Sequence, residues 1–231
     1  MNYNEVMKQL ELLGTAQNIK IYTRHGNDLP LYGVSIANLK KVLKPIKKDK
    51  ELGKKLYYSG NTDAIYLSQW IVDPFQLTVT DYEYLINLTN YYMILDTVIP
   101  SILVQNKELA FTLLPIWIEH DNPRFRQVAY SLFANILGKY PNEEIDSNMV
   151  KHYLQQVRKV IHTEENRVKY SMNGFLISAG VYNEEFTEST ITIGEEIGKV
   201  HVSMGETSCK VPFAPETIRK VQSMNRIGKK R

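Results

Sequence analysis

The stretch from Tyr91 to Pro100 (Tyr-Tyr-Met-Ile-Leu-Asp-Thr-Val-Ile-Pro) sets one carboxylate, Asp96, inside an apolar helical run. Burying a carboxylate without a partner is costly. Pro100 lies four residues on and has no N–H to give the carbonyl of Asp96. Two readings follow. In one, Asp96 caps a helix whose first turn tolerates Pro100. In the other, the helix projects Asp96 and, one turn earlier, Tyr92 from the same face into a groove.

Other reactive side chains form no constellation. His25, His120, His152, His162 and His201 are scattered without metal-ligand spacing, so no metal is expected. Cys209 is the single cysteine, which excludes an internal disulfide. Lys210 beside it would lower the thiol pKa, but no histidine adjoins it in sequence, so it reads as a loop cysteine. Gly-rich phosphate loops are absent, and no nucleotide or other cofactor is expected.

The elements that must hold Asp96 are helical. Leu103, Leu109, Leu113, Leu114, Trp117 and Ile118 recur at three-to-four spacing, as do Phe125, Val128, Ala129, Leu132, Phe133, Ile136 and Leu137. Ser35 can cap a helix over 36–47, Thr62 one over 63–72, and Thr80 opens an acidic first turn. Asp121-Asn122-Pro123 reads as a cap followed by proline at the first helical position. Gly138 with Pro141, and Gly180, read as helix stops. β-branched alternation appears only at Thr190–Ile193 and Val200–Val202. The expected helices run 3–13, 16–24, 35–47, 49–58, 62–72, 80–89, 92–104, 106–118, 122–139, 147–160, 165–178 and 183–197, with a last one near 214–225. Taken in antiparallel pairs they repeat about every 30–40 residues, the range of HEAT-type units. The expectation is an all-α, HEAT-like helical-repeat superhelix: one domain over 1–197 and a basic C-terminal extension over 198–231.

At 231 residues, with 43% apolar and 23% charged residues, the chain can bury a substantial core. No run approaches the roughly 18 apolar residues of a membrane span. The N-terminus is charged where a signal peptide has its apolar core. A cytoplasmic protein that does not enter membranes is expected. The net charge of +3 decides nothing, but its distribution does. Lys40, Lys41, Lys44, Lys47, Lys48, Lys50, Lys54 and Lys55 crowd one region, and Lys199, Lys210, Arg219, Lys220, Arg226, Lys229, Lys230 and Arg231 close the chain. Segregated positive charge is the footprint of a phosphate backbone, and also of plain solvated helix faces.

The stretch 91–126 resembles the active-site repeat of the AlkD-like HEAT-repeat alkylpurine DNA glycosylases. It has the aromatic pair, an aspartate four residues after the second aromatic, and the ending Asp96-Thr97-Val98-Ile99-Pro100. The likeness continues through Leu114-Pro115-Ile116-Trp117-Ile118 and Asp121-Asn122, followed by a helix carrying an arginine. Tyr32-Gly33-Val34 resembles the family's entry segment, and the residues from Ile197 to Pro212 resemble a terminal extension of alkylation-repair-like proteins.

The resemblance implies hydrolytic removal of cationic alkylpurines, such as N3-methyladenine and N7-methylguanine, from double-stranded DNA by a monomer. A charged base leaves readily. The fixed carboxylate would stabilise the oxocarbenium-like sugar, and aromatic faces would favour the cation. Asp96 and Tyr92 are then the catalytic residues. Tyr91, Arg124, Arg126, Gln127, Lys169, Phe175, Lys229 and Lys230 are the expected DNA contacts. The chain departs from the family at three points. Tyr92 stands where the family has a catalytic tryptophan, and a second tryptophan falls near Gly174, with Phe175 adjacent. The DNA-contacting arginine falls at or next to Gln127, whereas Arg126 is turned about 100° around the helix. A binding module that has lost the chemistry is the alternative.

Overall fold

The computed structural model describes residues 1–46 and 49–230, and among them every regular element is helical. No helix of these residues is long and apolar enough to cross a membrane. Lys47 and Lys48, counted in the expected basic cluster, and Arg231 lie outside the described residues. The chain divides into two compact units. The first comprises Met1–Lys107 with Gly205–Thr207, and the second Glu108–Met204 with the chain from Ser208 onward.

The first unit holds α1 (Tyr3–Leu13), α2 (Ala16–Arg24), α3 (Ile36–Leu43), α4 (Lys50–Tyr57), α5 (Thr62–Ser68), α6 (Val79–Leu88) and α7 (Ile99–Leu103). α1 packs against α3, α4 and α5 over a core that includes Val6, Leu10, Leu39, Leu52, Leu56 and Leu67. Caps rather than propensity set the helix starts. Ser35 does cap α3, accepting from Asn38 N–H. The cap of α5 is Asn61, not Thr62: its side chain accepts from the N–H groups of Asp63 and Ala64. α6 opens at Thr78 instead of Thr80, through a capping box in which Thr78 and Asp81 each accept the other's backbone N–H.

The second unit holds α8 (Lys107–Ile118, entered from the first unit), α9 (Pro123–Lys139), α10 (Ser147–Val160), α11 (Asn166–Tyr182), α12 (Thr187–Ile197) and α13 (Ala214–Ser223). α9 and α11 form its centre, with the Phe133 and Phe175 rings stacked at 4.5 Å. α9 ends at Lys139, just after Gly138 and before Pro141 as expected, whereas Gly180 does not stop its helix, which runs on to Tyr182. Gly180 is a packing residue: a Cβ there would lie 2.2 Å from Thr190 Oγ1 and 2.8 Å from Ile218. The absent side chain lets α12 and α13 close on α11. Thr190–Ile193 lies within α12, and Val200–Val202 forms no strand.

Gly174 is the opposite case, since a Cβ built on it meets nothing within 4 Å. Glycine inside a helix costs about 0.5–1 kcal/mol relative to alanine. Gly174→Ala is therefore expected to raise stability by about that amount in denaturant unfolding. A lower midpoint in the variant would contradict the open position.

Candidate nucleic-acid interface

Asp96 sits on a π-helical turn, Met93–Val98, that runs directly into α7. Its register is plain at Ile99, whose N–H reaches the carbonyl of Ile94, five residues back. Pro100 cannot make the α-type bond to the Asp96 carbonyl, and a wider turn there forgoes less. Ile94, Leu95 and Val98 are fully buried. Asp96 is half-buried, with its Oδ2 shielded from solvent. Single π turns recur at functional sites because they re-aim a side chain without unpicking the helix. The turn therefore replaces the plain helix expected over 92–104, and the simple N-cap reading of Asp96 does not hold.

The residues before the turn are fastened from a distance. Asp28, in the loop after α2, accepts from the backbone and side-chain nitrogens of Asn90, at 2.8 and 3.2 Å, and from the Thr89 hydroxyl. Thr89 Oγ1 accepts in turn from the N–H of Tyr91 at 2.9 Å. His25 of the same loop approaches Tyr92, with Nδ1 3.4 Å from the phenol oxygen and ring centroids 6.0 Å apart. The Tyr91 ring packs edge-on against Tyr92 at 5.3 Å. His25, Asp28, Tyr92 and the π turn thus make one framed locus in the first unit. Sequence reasoning missed His25 and Asp28, whose partners lie more than sixty positions away.

Beneath it, Asp63 is 2% exposed and accepts three consecutive N–H groups, from Tyr32 at 2.6 Å, Gly33 at 3.0 Å and Val34 at 2.9 Å. Gly33 has φ +79°, and a Cβ there would lie 2.7 Å from the Thr15 carbonyl oxygen, so only glycine fits. Burial pushes the Asp63 carboxyl up while the N–H groups pull it back, and burial prevails. The cavity lined by Tyr22, Asp63, Tyr66, Tyr91 and Met93 measures about 20 Å³, room for one water and not for a base. Burial raises the phenols of Tyr22, Tyr66 and Tyr91, which stay protonated near neutral pH.

In the second unit, Arg124 and Lys169 are half-exposed, on α9 and α11, and Lys229 is exposed. Arg126 is committed internally. Its guanidinium meets both carboxylate oxygens of Glu164, at 3.1 and 3.0 Å, and the carbonyls of His120 and Asp121 at 2.7 and 2.8 Å. The Lys230 ammonium donates to the Leu137 carbonyl and the Asn142 side chain, and this burial lowers its pKa. Gln127, 3% exposed, and Phe175, fully buried, are packing residues, as is Tyr91 in the first unit at 2%. A ring with no exposed face offers DNA nothing to stack on. Among the described residues no three His, Cys, Asp or Glu side chains group as a metal site, and Cys209 is exposed.

The DNA alkylation repair enzyme family matches residues 6–208. The chain belongs to this family. Two proteins of Listeria resemble the chain over nearly its whole length. A protein of Listeria monocytogenes serovar 1/2a is 32% identical, across 96% of this chain and 98% of its own. One of Listeria innocua serovar 6a is 31% identical, across 99% and 100%. A solved structure matches with a TM-score of 0.88 and 29% identity, covering 100% of this chain and 98% of that one. It is described as representing a new family related to the HEAT-like repeat DNA glycosylases, with affinity for branched DNA structures. The all-α, HEAT-like repeat architecture of this alkylation repair family member is thereby established. Asp96 lies on the π turn, and neither position that the glycosylase resemblance gives to tryptophan carries one: Tyr92 is half-buried, and Gly174 leaves its side-chain space open.

Proposed function

We propose that this protein binds DNA and prefers branched over linear duplex DNA. The observation that carries the reading is likeness over the full length of both chains to a protein with that affinity. Electrostatics agree with it, since Lys40, Lys41, Lys44 and Lys55 stand exposed on or beside α3 and α4. Arg124, Lys169 and Lys229 are the proposed phosphate contacts of the second unit, the last within the basic extension after residue 197. Such contacts set affinity and its salt dependence, not sequence preference.

A second reading, excision of N3-methyladenine and N7-methylguanine from alkylated duplex, is favoured by one specific feature. Asp96 is held half-exposed on a π turn beside Tyr92, as a carboxylate would be that stabilises an oxocarbenium-like sugar. Asp96 and Tyr92 would be its catalytic pair, needing no cofactor.

One experiment separates the two. The monomeric protein, titrated with a four-way junction and a duplex of equal length, is expected to bind the junction at least about tenfold tighter, with affinity falling linearly in log salt. Equal affinity for both would overturn the preference. In parallel, wild type and Asp96→Asn are incubated with alkylated duplex. Release of methylated purine by wild type alone would establish excision, and release by neither would remove the second reading.

A further inference from the structure

A pair of tyrosines on the first unit stays exposed although core packing has no use for their outer faces. Tyr57, at the end of α4, is fully buried and donates to the Asp81 carbonyl at 3.0 Å. Its neighbour Tyr58 and Tyr84 of α6 are each 38% exposed, with ring centroids 4.9 Å apart and planes at 44°. Tyr57 meets Tyr58 edge-on at 5.4 Å and braces it from within. The Tyr58 phenol donates to the Asp81 carboxylate, which is itself held by the backbone N–H and hydroxyl of Thr78. The Tyr58 ring is therefore fixed before any ligand arrives. A groove of about 630 Å³ opens beside it, lined by Asn2, Tyr3, Asn4, Lys55, Tyr58 and Ser59. That volume falls within the about 300–1,000 Å³ usual for ligand sites.

We propose that Tyr58 and Tyr84, with Lys55 at the groove, form a stacking platform for unpaired bases of a single-stranded DNA arm. The inference rests on the DNA-binding reading above and adds where an arm of branched DNA is held. Aromatic faces next to a cation and amide side chains are the composition with which proteins take single strands, because every base has a π-face and the backbone supplies a phosphate. Paired bases are stacked on one another and present no free face, so the platform selects unpaired ones. Charge alone does not select. Lys54 lies 4.0 Å from Asp81, Lys50 pairs with Asp73, and the same two helices carry Glu51 and Glu83. Lys55 is exposed and makes no ion pair among the described residues, which leaves it for a phosphate.

The test compares a fork with single-stranded arms carrying 2-aminopurine against a fully paired duplex of equal length. Tyr84→Leu is expected to weaken fork binding about tenfold and to leave duplex binding unchanged, whereas Tyr84→Phe, which keeps the ring, binds like wild type. Lys55→Ala lowers the log–log salt slope on the fork by about 0.7. Quenching of 2-aminopurine by wild type disappears in Tyr84→Leu. Equal losses on fork and duplex, or none on either, overturn the platform while leaving the DNA-binding reading intact. If wild type binds neither DNA, that reading fails first and the platform with it.

Discussion

Asp63→Ala is expected to lower stability by about 3–5 kcal/mol. The carboxylate is 2% exposed and is the acceptor for three backbone N–H groups in a row. Each buried donor left without an acceptor costs about 1–3 kcal/mol. Half-exposed Tyr32 can turn to water, which keeps the total toward the lower end of the summed range. Losing the carboxylate also relieves the cost of its own burial. The effect spreads, because the cradled segment carries Gly33 in its left-handed conformation and the Val34 carbonyl that accepts from the Tyr22 phenol at 3.0 Å. Asp63→Asn keeps the shape but turns an NH2 group toward one of the donors, so it recovers part of the loss. Urea unfolding with a fixed m-value reads both variants. A change below about 1 kcal/mol in Asp63→Ala would mean that water replaces the carboxylate.

Glu164→Ala is expected to cost about 2–3 kcal/mol. The side chains of Arg126 and Glu164 are 19% and 15% exposed and joined by two parallel hydrogen bonds. Breaking a buried pair costs about 3–5 kcal/mol because the surviving charge is stranded. Here residual solvent access screens it, and the carbonyls of His120 and Asp121 still hold the guanidinium, so the lower figure applies. A double-mutant cycle with Arg126→Ala isolates the pair. Coupling near zero would mean that those carbonyls, not Glu164, hold the arginine.

What the sequence made legible follows the range of the interactions concerned. Ser35, and Asn122 before Pro123, are helix starts written within four residues, and both caps stand where expected. Thr62 and Thr80 were displaced because stronger caps stood next to them. Asn61 satisfies two N–H groups at once, and Thr78 has a reciprocal partner at the right spacing. Gly180 misled for a physical reason: glycine serves a helix end and a close helix crossing alike, and only the neighbour distinguishes them. For Gly180 that neighbour includes Ile218, thirty-eight positions on. The π turn has no hydrophobic period of its own, though Pro100 four residues after Asp96 marked where the α-register would break. The fastening of the site by Asp28 and His25, and the capture of Arg126 by Glu164, join residues far apart in sequence, and local patterning carries no trace of them.

Gly205–Thr207 belongs to the first unit although the chain on both sides belongs to the second. Gly205 has φ +70°, and a Cβ there would stand 2.5 Å from the Arg24 carbonyl oxygen, while Glu206 lies 3.9 Å from the Arg24 guanidinium. Arg24 immediately precedes His25, which touches Tyr92. As the chain is synthesised, the residues framing Asp96 emerge early, and the last piece of their unit follows about a hundred residues after Lys107. The loop around His25 therefore reaches its finished surroundings only after most of the second unit has been made. Closing so long a connection slows folding more than it weakens the final state.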